Sequence, residues 1–133
     1  MKFWSIATVV LIIVACVGCE MTLFSKVDMT IAKKGEAIFH YGEKNIIQAI
    51  KSEDLEHIRN IFNGKRLCSD NLSCGFSDNV SIVINETERF CFACDGCPVV
   101  YWKNKNKYFK LSEAEHIELR EILSGYGFSF PCV

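Results

Sequence analysis

Proline is scarce in this chain, two residues in 133, and the sequence has no low-complexity stretch and no long polar run. Those absences exclude disorder as the organising state, because half of the residues are hydrophobic and have the apolar surface a folded core needs. Neither charge dominates: 15 basic residues stand against 16 acidic ones, interleaved, for a net charge of −1. Without a basic patch, binding to nucleic acid has no electrostatic footprint here. A phosphate-cradling glycine loop, a paired-carboxylate motif and a Ser/His/Asp spacing are also missing. The three histidines, His40, His57 and His116, are scattered and read as packed or half-exposed side chains rather than ligands.

What the chain has in excess is cysteine, eight residues, and one long apolar run. The run follows Met1-Lys2, extends from Phe3 to Val17 and leaves through Gly18-Cys19-Glu20. A short basic start, an apolar stretch and a small-residue exit together read as a secretory signal. An uncleaved membrane helix is the alternative, but a span needs about 20 apolar residues, and this run is shorter and broken by Ser5 and Thr8. The predicted organisation is a signal peptide over 1–15 (or 1–18), a tether and first strand over 16–35, and one domain over 36–133. The remainder after the signal is enough for one domain and not for two.

The end of the run, Ile13-Val14-Ala15-Cys16, resembles the lipobox of bacterial lipoproteins: aliphatic, small or branched, small, then the cysteine that takes the lipid. The resemblance implies cleavage before Cys16 and a diacylglyceryl cysteine as the new N-terminus. Cys19 is a rival. Its preceding residues, Cys16-Val17-Gly18, fit the pattern less well, yet acylating Cys19 leaves six cysteines, an even set that suits disulfide pairing. By this resemblance the protein is lipid-anchored on the extracytoplasmic face of a cell membrane. The three Asn-x-Ser/Thr sites, at Asn71, Asn79 and Asn85, are then polar turns rather than glycosylation acceptors.

Two segments of the remainder look like copies of one plan. The first has strands at Ala37–Tyr41 and Asn45–Lys51, then Ser52 before a helix with Leu55, Ile58, Ile61 and Phe62 on one stripe, stopped by Asn63-Gly64. The second has strands at Val80–Ile84, Arg89–Ala93, Pro98–Trp102 and Tyr108–Leu111. Ser112 then opens a helix with Leu119, Ile122 and Leu123 on one face, and Gly125 is expected to close it in the left-handed conformation. Ser112 with Glu115 spells a capping box. The expectation is an α+β fold: an antiparallel sheet of four to six strands with two helices, stabilised by disulfides. The aromatics Phe90, Phe92, Tyr101, Trp102, Tyr108 and Phe109 are expected in the core rather than on an exposed binding face, with Tyr101-Trp102 at a strand end the exception to look for.

The densest chemical constellation is Cys91-Phe92-Ala93-Cys94-Asp95-Gly96-Cys97-Pro98. An iron–sulfur reading fails for want of a fourth cysteine three residues on. Zinc at Cys91, Cys94 and Cys97 is the metal alternative, although a single Cys-x₂-Cys is only a half-site. A thioredoxin-type role needs the pair at a helix start, and here a strand follows. In an exported chain the leading expectation is three disulfides among Cys68, Cys74, Cys91, Cys94, Cys97 and Cys132, with Cys132 tied back to the body of the domain. The stretch from Cys74 through this run to Cys132 resembles small secreted cysteine-containing bacterial domains, a resemblance that carries no functional residue with it. The functional expectation is a non-enzymatic binding or structural domain of the envelope, without a cofactor, whose partners are the membrane and another envelope protein or a small ligand. A thiol-redox or metal-handling protein using Cys91, Cys94 and Cys97, and an immunity or inhibitor lipoprotein, are the alternatives.

Overall fold

A computed structural model describes residues 26–69 and 75–132. The signal segment with Cys16 and Cys19, and also Asn71 and Cys74, lie outside the described residues. Among the described residues, six strands and two α-helices follow in order: β1 (Gly35–Tyr41), β2 (Lys44–Ala49), α1 (Ser52–Phe62), β3 (Val80–Ile84), β4 (Glu88–Phe92), β5 (Val99–Trp102), β6 (Lys107–Lys110) and α2 (Glu113–Ser124), with a 3-10 turn at Lys103–Lys105 between β5 and β6. The six strands form one antiparallel sheet in the order β2-β1-β3-β4-β5-β6. The class is α+β, as the patterning predicts. The repeated strand–strand–helix plan sits at the two ends of this sheet, β1-β2-α1 at one and β5-β6-α2 at the other, with the β3-β4 hairpin between them.

Alternation along each strand assigns the two faces. Phe39, Ile82, Phe90, Val100 and Phe109 point to the face covered by the helices and are buried there. Helix α1 lays down the predicted stripe of Leu55, Ile58, Ile61 and Phe62, all buried. Phe62 sits 5.3 Å from the Phe90 ring and 5.1 Å from Phe109, and Phe90 stacks on Trp102 at 5.2 Å. Edge and offset contacts of this kind add about 0.5–1.5 kcal/mol per pair beyond simple burial. Trp102 therefore belongs to the core; Tyr101, one residue earlier, faces the other way.

The helix ends correct two expectations. The capping box of α2 is present, with Ser112 Oγ accepting from Glu115 N and Glu115 Oε1 accepting from Ser112 N. Ser52, however, is the first residue of α1 and not its cap. The hydroxyl that serves that helix start comes from Tyr126, which accepts from Lys51 N at 2.8 Å and donates to Asp54 Oδ2 at 2.6 Å. Burial, and next the bond to Asp54, raise the Tyr126 pKa, so this hydroxyl stays a donor. Gly125 ends α2 in ordinary helical geometry (φ −62°), and the left-handed residue is Gly127 (φ +98°). That positive φ favours glycine, and a Cβ on Gly127 would also lie 2.5 Å from Ile46 Cδ1 and displace the end of that side chain on β2.

The domain also begins earlier than the predicted boundary at residue 36. Val27, Met29 and Ala32 are buried, Val27 N donates to Lys65 O, and Gly64 N donates to Val27 O. At least residues 26–34 thus belong to the body of the domain and not to a tether. Their anchor is Asn85, at the turn between β3 and β4. Its Oδ1 accepts from Lys33 N and Lys34 N, and its Nδ2 donates to Ile31 O. Asn85 and Glu86 both have positive φ, 52° and 68°, which asparagine tolerates better than most residues. Replacing Asn85 by Ala removes three hydrogen bonds to one segment and a residue suited to the turn. We expect a loss of about 2 kcal/mol in urea unfolding, with a smaller loss for Asn85→Asp, which keeps the acceptor.

Candidate binding face and the cysteine cluster

The turn between β4 and β5 is built for a reversal. Gly96 takes φ +82°, Gly96 N donates to Ala93 O, and Asp95 Oδ1 accepts from Cys97 N. Asp95 thus serves the backbone, as aspartate in turns does. Beside this turn Cys94 is bridged to Cys132, 38 positions further along the chain, with Cα atoms 4.9 Å apart. Cys132 N also donates to Cys94 O at 3.1 Å. The C-terminus is tied back as predicted.

The other described cysteines do not join that bridge. Cys91 lies on β4, where alternation turns it to the face opposite Phe90 and Phe92, and it is 1% exposed with no bridge. Cys68, at the far edge of the sheet, is a half-buried free thiol. Cys97 is half-buried on the turn, and it lines with His116 a cavity of about 10 Å³, room for no more than one water. The three-bridge framework is corrected at Cys91 and Cys68, neither of which is bridged. The zinc or redox set Cys91, Cys94 and Cys97 does not assemble, since Cys94 is spent on Cys132. Among the described residues no group of three or more His, Cys, Asp or Glu side chains comes together to hold a metal. His57 pairs with Glu118 at 3.4 Å on the surface between the helices, and burial, then Arg120, lower the pKa of His116.

The chemistry of the domain gathers instead on the sheet face away from the helices. Cross-strand pairing aligns Ile47, Ile38, Ser81, Cys91, Tyr101 and Tyr108 across all six strands. Residues 75–79 cover one half of this row. Phe76 packs 5.6 Å from both Tyr101 and Tyr108, which stack on each other at 4.9 Å. Asp78 fastens the segment down. Its carbonyl accepts from Ser81 Oγ at 2.7 Å and Arg89 Nη1 at 3.0 Å, its Oδ2 takes Lys103 Nζ at 2.6 Å, and its Oδ1 is 4.0 Å from the Cys91 sulfur. Ser81, wholly buried, also accepts from Arg89. Burial first, then the Asp78 carboxylate, push the Cys91 thiol up to about 11, against the opposing pull of Arg89 and Lys103. Such a thiol is a donor and a filler at neutral pH, not a nucleophile.

The other half of the row is open. A groove of about 440 Å³ runs over Ile38, Ala49 and Val83 between charged rims that include Glu36, Arg89 and the ion pair of Lys34 with Glu86. That lysine, by hydrogen bond and charge, lowers the Glu86 pKa. An apolar floor with rims of both signs suits a peptide or protein surface better than a small charged substrate. Local spacing gives no hint of Asp78 as the organiser of the covered half; the only available signal is that Arg89 and Cys91 share a strand face. A second cleft of about 440 Å³ lies between α2 and the C-terminal segment. Its Arg120 is already engaged, donating to Phe130 O at 3.0 Å and lying over the Phe130 ring.

Two outcomes follow from this geometry. Cys132→Ala should lower stability by about 4 kcal/mol on the loop-closure account of a bridge spanning this separation, read from denaturant unfolding with and without reductant. Cys91 should resist alkylation at pH 8 in the folded chain and react once unfolded. Above 9.0 the unfolded thiol ionises while the folded one keeps its proton to about 11. Its contribution is therefore complete below pH 9 and lost as pH rises to 11. Cys91→Ala should flatten the fall in stability across that window, and an unchanged slope would contradict the burial argument. Compared with known proteins, the chain matches no family model, no curated protein and no solved structure, so the reading of this face rests on its own geometry.

Proposed function

We propose that the protein is a membrane-anchored lipoprotein domain on the extracytoplasmic face of a cell, held by an acylated cysteine and acting by binding another envelope protein rather than by catalysis. The observation that carries the reading is the conjunction of two features in one chain. An apolar run closes on Ile13-Val14-Ala15-Cys16, and the domain behind it holds Cys94 and Cys132 at bridging distance. Disulfides persist in oxidising compartments and are rare in the cytosol, so the bridge and the signal-like run point the same way. Among the described residues no helix is long and apolar enough to cross a membrane. Attachment then falls to the N-terminal segment, where each buried acyl methylene adds about 0.8 kcal/mol.

Binding is supported by where the polar chemistry sits. Asp78, Ser81, Arg89 and Lys103 spend their hydrogen bonds on one another and on the backbone, while the groove beside them offers an apolar floor. An immunity or inhibitor lipoprotein would use the same anchor and the same face, differing only in having a toxin or hydrolase as partner. Lipid labelling tests the anchor. Incorporation of a labelled fatty acid should be abolished by Cys16→Ala and retained by Cys19→Ala; the reverse pattern moves the anchor to Cys19. Labelling that survives both substitutions together would sink the lipoprotein reading. The intact mass before and after reduction reports lipid and bridges in the same sample.

A further inference from the structure

The two edges of the sheet are treated differently. At the β6 edge, Tyr108 is paired outward with Cys68, whose N donates to Tyr108 O at 2.7 Å and whose O accepts from Tyr108 N at 2.9 Å. Lys107 and Lys110 flank that pairing. Among the described residues the β2 edge has no such cover. The phase of its hydrogen bonds follows from two contacts: Ile50 N donates to Gly35 O, and His40 N donates to Asn79 O on the β3 side. With the β1-β2 register of Phe39 opposite Ile46, residues 44, 46 and 48 turn their backbone groups inward. Asn45, Ile47 and Ala49 turn theirs outward. All three are exposed, and Ile47 is 62% exposed. From Asn45 to Ala49 this edge has no proline and no charge, the devices that ordinarily blunt an edge strand.

We infer that β2 pairs with β2 of a second copy of this chain, antiparallel and centred on Ile47, joining two six-stranded sheets into one. The edge is self-complementary about that centre. Asn45 falls opposite Ala49 of the copy, Ile47 opposite Ile47, and Ala49 opposite Asn45, all with outward backbone groups, as an isologous two-fold contact requires. The exposed residues that bound the strand are Glu43 and Lys51, and the same centre sets each against the other's opposite charge. Sliding the pairing by two residues keeps hydrogen-bond phase but loses that charge match. On the open face, the Ile38 and Ile47 side chains of both copies become one apolar row across the junction. The inference does not depend on the lipid anchor.

Cross-linking and oligomeric state test it on the full chain in non-ionic detergent. Residues opposite one another in a hydrogen-bonded antiparallel pair have Cα atoms about 5.5 Å apart, within the range a disulfide spans. Ile47→Cys should therefore oxidise to a covalent dimer about tenfold faster or more than Ile31→Cys, an equally available position (68% exposed) away from this edge. Ile47→Pro removes an outward N–H without touching the β1 ladder and should convert the dimer to monomer in light scattering, with circular dichroism unchanged. Equal cross-linking rates, a monomeric wild-type chain at tens of micromolar, or a dimer that survives Ile47→Pro would each overturn the pairing. If Ile47→Pro fails to fold, Ile47→Lys supplies the same comparison by charge repulsion at the centre.

Discussion

A six-stranded sheet has two faces, and among the described residues helices cover only one of them. Everything else about the domain follows from how the uncovered face is handled. The helix-side face takes Phe39, Ile82, Phe90, Val100 and Phe109 and closes over them with α1 and α2. Burial on that side is the main source of stability, each such side chain contributing about 1.5–3 kcal/mol against the entropy of ordering the chain. The far face has to be finished with other means. Half of it receives the 75–79 segment, held by Phe76 on two tyrosines and by Asp78 in a net of polar bonds. The other half is left with Ile38, Val83 and Ala49 along an open groove.

That division explains the placement of the sulfur atoms. Cysteine spacing in a sequence says nothing of which way a strand turns its side chains. Only Phe92 and Ala93 separate Cys91 from Cys94, but Cys91 is fixed by the two-residue period of β4 to the far face, while Cys94 lies past the strand end. Cys94 meets Cys132 because the C-terminal segment passes under the helix-side face, where Phe128 packs 4.9 Å from Phe39. A spacing that resembles a ligand set in one dimension is thus pulled apart by the sheet. The Cys94–Cys132 bridge closes the chain end onto the core, and Cys91 becomes a packed thiol beside a carboxylate, its proton held by its surroundings.

Local grammar was legible in the sequence, and long-range pairing was not. The six strands fall within two residues of their predicted bounds, and the stripe of α1 is the one its periodicity demands, because both signals are carried by neighbours in sequence. The capping box of α2 is likewise a three-residue statement. The misses share one cause. Tyr126 serves the start of a helix 75 residues earlier, Asn85 holds a segment more than 50 residues before it, and Asp78 organises a face shared by β3, β4 and the turn after β5. None of these has a local pattern to announce it. The packing of residues 26–34 was hidden for the same reason: a polar segment with Val27, Met29 and Ala32 at irregular intervals has no period, and only its partners reveal that it is packed.

The same reasoning bears on how such a domain would meet a partner. Helices already cover one face and the Cys68 pairing covers one edge, so the surfaces with unspent backbone bonds and apolar area converge at β2 and the groove over β1 and β3. A strand edge supplies affinity through hydrogen bonds that any extended chain satisfies, and therefore little selectivity. Selectivity has to come from side chains beside it, and here those are Glu43 and Lys51 at the ends of the edge and Lys34, Glu86 and Arg89 along the groove. A self-complementary edge used by a second copy would leave both grooves exposed side by side on one continuous sheet. The face available for a different partner would then be doubled in length without any change in the fold of either chain.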